Sequence, residues 1–191
     1  MARPQSPDYD KRRAAIVDCA ARLFAARGFR GASMTDLAKE CGTSKSLVYH
    51  YFPAKDDVLY AVMTSHLDDL VAAAAAATRE GGADEKFAAL TREFMRLYVG
   101  AGDRHKVLLN ELDNLPPARR AEVVARQRRI IAAVEALIAE LKPGAPALPI
   151  AMLFFGMINW THTWFRPDGG ISADALADMA VKLIRSGLQA S

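Results

Sequence analysis

The sequence predicts an all-α protein, and three observations carry that prediction. Apolar residues recur every three to four positions in successive segments, which is the period of an amphipathic helix. No stretch shows the sustained alternation of apolar and polar residues that a half-buried strand requires. The composition, with 51% hydrophobic and 25% charged residues, is typical of a globular domain with a core. We expect about nine helices: a three-helix head at the N-terminus, then an antiparallel bundle.

A first helix is expected from about Tyr9 to Arg27. Its apolar residues have helical spacing, and Gly28 is placed to end it in the left-handed conformation. A basic cluster, residues 11–13, lies at the start of this helix and opposes the helix dipole, which phosphate contacts would justify. Residues 1–8 form a short Pro-containing arm that we expect to be mobile.

Two short helices joined by a tight turn are expected next. Ser33 and Asp36 have the spacing of a capping box, and Gly42 is placed to end the second helix. Ser44 can cap a third helix, which stops before Pro53 because proline disfavours helical geometry in the preceding residue. Such a pair forms a helix-turn-helix, which can place its second helix in the DNA major groove. The alternative from this pattern alone is an ordinary helical hairpin within a bundle.

The remaining chain predicts a larger helical bundle. A long helix opens at Lys55 and runs to about Thr78. The stretch from Ile150 to Phe165 is apolar on nearly every side, so we expect a helix that is buried all round, in a core or in a subunit interface. Further helices are expected around residues 87–97, 107–112, 117–141 and 172–188, with a linker at 143–149.

The positive charge is concentrated in the N-terminal part of the chain. Residues 1–55 carry ten Lys and Arg against five acids, a formal charge of +5, whereas the remaining residues carry 15 against 17, a charge of −2. The positive excess therefore coincides with the helix-turn-helix, as phosphate binding requires. The alternative is a basic surface that only keeps the protein soluble.

A cytoplasmic protein is the simplest expectation from the other features of the chain. The N-terminus has no apolar signal segment, and the apolar run from residue 145 to 158 is too short to span a bilayer. Cys19 and Cys41, the two cysteines, fall on apolar faces of predicted helices, which indicates buried thiols and not a disulfide or a redox pair.

The stretch S-M-x-D-L-A-x-x-C-G-T-S-K-S-L-V-Y-H-Y-F, residues 33–52, resembles the TetR/AcrR family of transcriptional regulators. The resemblance covers about residues 10–60. It implies a helix-turn-helix DNA-binding domain at residues 1–54 and an effector-binding and dimerisation domain at 55–191. It also implies a homodimer formed through the last two helices. The chain departs from the family pattern at Thr43, where an aliphatic residue is usual, and at Ser46, where glycine is frequent.

The same resemblance implies which residues contact DNA. Four residues on the exposed face of the second helix of the motif are expected to meet base edges: Lys45, Ser46, Leu47 and His50. For His50 the alternative is a solvent-facing residue without a role. Five others match phosphate-contacting positions of the family: Thr35, Ser44, Tyr49, Tyr51 and Lys55.

The stretch from Asn159 to Asp174 is similar to a branch of this family that controls catabolism of fatty acids, phenylacetate or steroids. Effectors in that branch are typically acyl-CoA thioesters, which need an apolar tunnel and basic residues for the phosphates. The candidate effector residues are Phe94, Phe154, Phe155, Met157, Asn159, Trp160, Trp164 and Arg166. Five more arginines are candidates for the phosphates: Arg119, Arg120, Arg126, Arg128 and Arg129. The alternatives are aromatic residues that only fill a core and arginines on a solvated face.

Other classes of function have less support in the sequence. The histidines form no H-x-x-x-H pair, no nucleophile elbow is present, and neither a phosphate loop nor a zinc pattern occurs, so we expect no enzyme, no cofactor and no metal site. A DNA-packaging protein without an effector would not need the 137 residues from 55 to 191. The remaining alternative is a repressor that senses apolar drugs instead of a thioester.

Overall fold

The computed structural model describes residues 7–190, so most of the predicted N-terminal arm lies outside the described residues. Within that range the chain is helical and contains no strand, which confirms the all-α class. Nine helices have seven residues or more, and a tenth, α9, has four. In chain order they are α1 (Pro7–Arg27), α2 (Met34–Glu40), α3 (Lys45–Tyr51), α4 (Lys55–Ala77), α5 (Ala83–Gly100), α6 (Gly102–Asn110), α7 (Pro117–Leu141), α8 (Ala147–Asn159), α9 (Thr161–Trp164) and α10 (Ala173–Ala190).

The head of the chain, α1 to α3, forms where its capping residues predict it. The Ser33 hydroxyl accepts from the Asp36 backbone N–H at 3.1 Å, and the Asp36 carboxylate accepts from the Ser33 N–H at 3.0 Å, so the capping box is confirmed. Gly42 ends the turn after α2 with a φ of +61°, a left-handed conformation that glycine adopts without strain. Val48, fully buried, anchors α3 on this head.

The apolar segment from 150 to 165 departs from its prediction in two ways. It is divided at Trp160, and α8 begins earlier, at Ala147, with Pro149 in its first turn, where proline's missing N–H has no intrahelical partner anyway. One face of α8 is buried, but Met152 and Leu153 on the other are 51% and 71% exposed. Burial on all sides within this chain's own core is therefore wrong, and the subunit interface stays a prediction.

The chain divides into two compact units, and the division does not follow a single boundary after residue 54. The first unit contains the chain up to His66 together with Asp103–Val123, and the second contains Leu67–Gly102 and Val124 onwards. Most of α6 and the start of α7 therefore belong to the same unit as α1, α2 and α3. Both α4 and α7 have residues in each unit.

Polar contacts hold α6 and the following turn against the head within the first unit. Arg104 of α6 forms an ion pair with Asp18 of α1. After α6, Asn114 accepts a hydrogen bond from Arg30 Nε at 3.0 Å and donates one to Glu111 at 2.7 Å. The Arg104–Asp18 and Arg30–Asn114 contacts join segments more than 80 residues apart in sequence.

The second unit has an aromatic core and an ion-paired helix pair. Phe87 and Phe154 lie with ring centroids 5.2 Å apart and are fully buried. Across the α5–α10 contact, Arg92 binds Asp178 at 2.7 Å, and Arg96 binds Asp174 at 3.0 Å. A third pair, between Arg185 and Asp84, follows along the same helices. Because these pairs are exposed, each is worth at most about 1 kcal/mol, and apolar burial supplies most of the stability.

By length and composition alone, α4 could cross a membrane, with a mean hydropathy of 1.2 over an 18-residue window. In this structure 56% of that window is buried inside the protein. Val58, Leu59, Val62 and Met63 have no exposed surface and form part of the core. A core helix passes the same test of length and composition, so we assign α4 to the core.

Candidate nucleic-acid interface

The third helix presents a polar face to solvent. Lys45, Ser46, Tyr49 and His50 are exposed, whereas Leu47 is half-buried. The buried side of the helix is small, because only Val48 and the following Phe52 supply its core contacts. A seven-residue helix that packs on the core through one side leaves its opposite side accessible to a DNA groove.

Hydrogen bonding at the start of α3 fixes its orientation on the head. The Ser44 hydroxyl oxygen accepts from the Leu47 backbone N–H at 3.1 Å, which caps the helix. Its hydroxyl proton is still available to donate to a phosphate oxygen. The Lys45 ammonium lies 5.7 Å from the centroid of the Tyr49 ring, on the exposed side of the helix.

An aromatic cluster supports the C-terminal end of α3. The Tyr51 ring lies 4.6 Å from that of Tyr9 in α1, and the His50 ring lies 5.3 Å from Tyr51. These contacts limit the rotamers of His50 and Tyr51, so less conformational entropy would be lost when either side chain binds a ligand. The contact of Tyr9 with α3 was not predicted from the sequence, because the apolar stripe of α1 gave no reason to expect a role for this residue.

Lys55 has a position unlike those of the other predicted contacts. Its ammonium donates to the backbone carbonyls of Phe29 at 2.8 Å and Ala32 at 2.7 Å. It also lies 4.1 Å from the centroid of the Phe29 ring. Two of its three N–H groups are thus used to hold the α1–α2 loop on the first residue of α4. Lys55 thus makes a structural contact with the α1–α2 loop, and its expected phosphate contact stays a prediction.

Around the motif, further side chains contribute to the surface. Thr35 is exposed in the first turn of α2. Beside it, the hydrogen bonds from Ser33 hold the pKa of Asp36 below its usual value, with a smaller contribution from the Arg27 charge. In α1, the guanidinium of Arg13 lies 4.9 Å from the centre of the Phe52 ring, so part of the basic cluster packs on the core next to α3.

The predicted effector residues differ widely in exposure. Phe94, Phe154 and Phe155 are buried, with ring centroids 6.3 Å apart for Phe94–Phe155 and 5.3 Å apart for Phe154–Phe155. The three rings thus pack on one another in the core, and the pocket that they were expected to line stays a prediction. Trp160 and Trp164 are instead 64% and 50% exposed. Arg166 is exposed as well, and Met157 and Asn159 are half-buried.

Two of the clefts in the second unit contain none of the eight candidate effector residues, although one of them includes Arg129, a candidate for the phosphates. A cleft of about 190 Å³ lies between α4 and α7, where Val71, Ala74 and Ile130 form apolar walls and Arg129 is at the edge. A more polar cleft of about 340 Å³ lies on α5 and α10. Hydrophobic periodicity could not have located either, because both depend on how two helices pack.

Three of the arginines proposed for phosphate binding are already engaged. Arg119 forms ion pairs with Asp56 and Asp57 at the start of α4. Arg120 pairs with Asp113 at 3.3 Å, and Arg126 pairs with Asp68 at 3.1 Å. Arg128 and Arg129 are exposed. Among residues 7–190, no group of three or more His, Cys, Asp or Glu side chains is placed to hold a metal ion.

A three-helix head with a capped, exposed third helix and an excess of positive charge defines a helix-turn-helix DNA-binding protein. Comparison with known proteins gives the family. Residues 16–62 match the family described as bacterial regulatory proteins, tetR family, and residues 80–188 match the tetracyclin repressor-like C-terminal domain. The chain belongs to the TetR family of helix-turn-helix transcriptional regulators.

Similar proteins include solved structures and a curated repressor. A TetR-family regulator from Bordetella parapertussis is 37% identical with a TM-score of 0.88, covering 94% of this chain and 96% of that one. AibR, solved in complex with isovaleryl coenzyme A and operator DNA, is 27% identical with a TM-score of 0.81, covering 90% and 97%. The repressor KstR2 of Rhodococcus jostii is 27% identical over 93% of this chain and 91% of its own length.

Proposed function

We propose that this protein is a ligand-responsive repressor that binds palindromic operator DNA as a homodimer and is released by a small effector. The observation that carries this proposal is the exposed polar face of α3, held on the head by the buried Val48. An ordinary hairpin within a bundle would bury both of its helices against neighbours, which α3 does not do. We infer a regulator in the cytoplasm without enzymatic activity or a cofactor.

On operator DNA, the residues of α3 divide by the chemistry of their side chains. Lys45 can donate to the guanine acceptors O6 and N7, and Leu47 can contact a thymine methyl group. Ser46 and His50 lie on the same exposed side and complete the set at the base edges. The proposed phosphate contacts are Thr35, Ser44, Tyr49 and Tyr51, whose hydroxyl groups can donate to phosphate oxygens.

A homodimer is supported by an exposed apolar surface on the last helices. Leu153 of α8 is 71% exposed, and Leu183 and Met179 of α10 are 62% and 53% exposed. Trp160 between α8 and α9 adds a large aromatic surface that is 64% exposed. Large exposed apolar side chains on neighbouring helices favour an interaction site, and a two-fold axis would cover them with the same surface of a second copy.

An acyl-CoA thioester is the proposed effector class. The support is the match to AibR, whose structure contains isovaleryl coenzyme A, together with the match to the repressor KstR2. The cleft of about 190 Å³ between α4 and α7 is smaller than the roughly 300–1,000 Å³ typical of ligand sites. An acyl-CoA that entered this cleft would have to widen the packing of α4 against α7. Since both helices continue into the first unit, such a change would reach the head through them.

Release from DNA requires the effector to prefer the conformation that does not bind the operator. A tenfold preference corresponds to about 1.4 kcal/mol. By reciprocity, operator DNA should weaken effector binding by the same factor. Repression followed by release is the habit of the family, and the same coupling with the opposite sign would give an activator.

Selection from a pool of random DNA duplexes tests DNA binding first. We expect enrichment of a palindrome whose half-site centres lie about one helical turn, roughly 34–36 Å, or a multiple of it apart. The Lys45→Ala variant should select a different consensus, whereas Lys182→Ala, an exposed lysine on α10, should select the same one. Enrichment of no sequence, with binding at low salt to any duplex, would favour the DNA-packaging alternative.

Release is then measured on the selected duplex by fluorescence anisotropy. Isovaleryl-CoA is compared with isovalerate and with CoA alone, and only the thioester should release the protein. Equal release by isovalerate would show that the CoA moiety is not recognised. Release by unrelated apolar drugs, with none by a series of thioesters of increasing chain length, would favour the drug-sensing alternative.

A further inference from the structure

The two cysteines lie next to each other in the head, on different helices. Cys19 is in the middle of α1, and Cys41 is the C-terminal capping residue of α2. The Cys19 sulfur lies 3.9 Å from the carbonyl oxygen of Glu40, the residue bonded to Cys41. Both thiols are free and both residues are half-buried. The expectation of buried thiols is therefore wrong, because both residues are only half-buried.

A cation is placed at one of the two sulfurs. The Arg22 Nη2 lies 3.3 Å from the Cys19 sulfur, one helical turn away on α1. Arg22 is held there by Glu40, whose carboxylate lies 3.6 Å from its Nε. The interaction of Arg22 with the Cys19 sulfur is the largest cause that raises the pKa of Arg22. A cation beside the sulfur is a feature of reactive cysteines, whose nucleophile is the thiolate.

The second sulfur has the complementary property. Burial, and then a hydrogen bond with the Cys19 side chain, raises the pKa of the Cys41 thiol to about 12. Cys41 therefore stays protonated beside Cys19 and can donate its S–H to the Cys19 sulfur. The two thiols thus differ in chemistry: one has a cation beside it and solvent access, and the other keeps its proton.

We propose that Cys19 and Cys41 are a peroxide-responsive dithiol that closes to an intramolecular disulfide and thereby weakens operator binding. The effect on the operator rests on the proposed function, whereas the thiol chemistry does not. The two cysteines are only half-buried, and neither forms a disulfide in this structure. A pair of accessible thiols fits a transient redox role better than a structural disulfide.

The reaction proceeds in two balanced steps. The Cys19 thiolate attacks one oxygen of hydrogen peroxide, the O–O bond breaks, and Cys19 sulfenic acid and hydroxide form. The Cys41 sulfur then attacks the Cys19 sulfur, the S–S bond forms, the S–O bond breaks, and the departing hydroxide takes the Cys41 proton as water. The hydroxide from the first step takes up the proton that the Cys19 thiol released on ionising, so the sum is two thiols and one peroxide giving one disulfide and two waters.

The bond would act on α3 because Cys41 is part of the turn that leads to it. The Cys41 N–H donates to the Leu37 carbonyl at 2.9 Å, and the Thr43 N–H donates to the Ala38 carbonyl at 2.9 Å. A disulfide requires its two Cβ atoms to lie about 3.5–4.5 Å apart. Closing the disulfide would fix the end of α2 on α1 at that separation, and it would thereby constrain the turn and, with it, Ser44 at the start of α3. Groove contacts that depend on the placement of α3 are weakened as a result.

Chemical readouts test the dithiol without DNA. Reduced protein is treated with a small excess of hydrogen peroxide, denatured, and titrated for free thiols, and a non-reducing peptide map identifies the linkage. We expect loss of both thiols and an intramolecular Cys19–Cys41 peptide, restored by dithiothreitol. The Cys41→Ser variant should accumulate a sulfenic acid that dimedone traps on Cys19, and Cys19→Ser should react much more slowly. Two free thiols after treatment, or a disulfide only between chains, would overturn the proposal.

The role of Arg22 and the effect on the operator have their own measurements. Arg22→Gln should slow peroxide consumption, Arg22→Lys should retain more of the rate, and Arg27→Gln, an exposed arginine at the end of α1, should keep the wild-type rate. Oxidised protein should bind the selected duplex at least tenfold more weakly, with full recovery on reduction. Unchanged affinity of fully oxidised protein would overturn the switch. If even the reduced protein selected no duplex, the proposed function would fail, and the thiol titration would still decide the chemistry.

Discussion

Acidification should destabilise the first compact unit through a buried histidine pair. His66 of α4 and His105 of α6 are 0% and 1% exposed, and His66 Nε2 lies 3.1 Å from His105 Nδ1. One ring must donate to the other, which requires at least one of them to be neutral. Burial, and then the positive charge of Arg104, lowers the pKa of His66 from 6.5 to about 4. The native state therefore keeps His66 neutral at pH values where an exposed histidine is charged.

The size of the effect follows from that difference in pKa. Below pH 6.5 the unfolded chain takes up a proton on His66, whereas the folded protein does so only near pH 4. The unfolded state thus binds more protons in this window, so stability is fully present above pH 6.5 and is lost as the pH falls towards 4. Between pH 7 and pH 5 the loss is about 2 kcal/mol. For a chain of this length that corresponds to a fall in Tm of about 4–8 °C.

Urea unfolding at pH 7, 6 and 5 measures this loss in the wild type and in two variants. His66→Gln removes the titrating group, so its free energy of unfolding should be lower at pH 7 but should change less between pH 7 and 5. His50→Gln removes an exposed histidine of α3 and should retain the wild-type pH dependence. If His66→Gln lost stability with pH as steeply as the wild type, the linkage to His66 would be refuted.

Three further predictions concern DNA binding and assembly. Lys55→Ala should cost about 1–3 kcal/mol of stability because two loop carbonyls lose their donor, whereas Lys39→Ala should not. A Lys55→Ala protein that kept its stability, but whose operator affinity depended less steeply on salt concentration, would show that Lys55 mainly contacts phosphate. Leu183→Glu should give monomers in analytical ultracentrifugation because it would bury an unpaired charge; a persistent dimer would place the interface elsewhere. Lys45→Ala should relax preference at one base pair by roughly 1–3 kcal/mol, whereas equal weakening on every duplex would assign Lys45 to phosphate.

Capping chemistry is the part of the fold that could be predicted most closely. The box of Ser33 and Asp36, the turn at Gly42 and the cap at Ser44 each depend on groups within three or four residues, and all three form as expected. The break at Trp160 could not be predicted from the usual helix-breaking residues. Residues 150–165 contain no proline, and their one glycine, Gly156, lies within α8.

The candidate sites depend on contacts that sequence spacing does not contain. Lys55 is two residues past Pro53 and matches a family position for phosphate contact, but its partners lie 23 and 26 residues earlier. Helical periodicity assigns Phe94 and Phe155 to apolar faces, and the two rings do pack together. Periodicity cannot distinguish a residue that lines a cavity from one that fills the core. Cys19 and Cys41 are 22 positions apart, so only the packing of α1 on α2 brings them together.

By itself, the sequence determined the helical class, most helix boundaries, the exposed face of α3 and the family, because helical periodicity, capping and the motif are properties of neighbouring residues. The tertiary structure decided which charged groups are free and which are engaged, and which apolar surfaces are filled or open. It paired the buried His66 with His105, placed Arg22 on Cys19 and left Leu183 uncovered. Each of these depends on two elements meeting in space, and the free energy of such a contact comes from desolvation and packing that no single segment can specify.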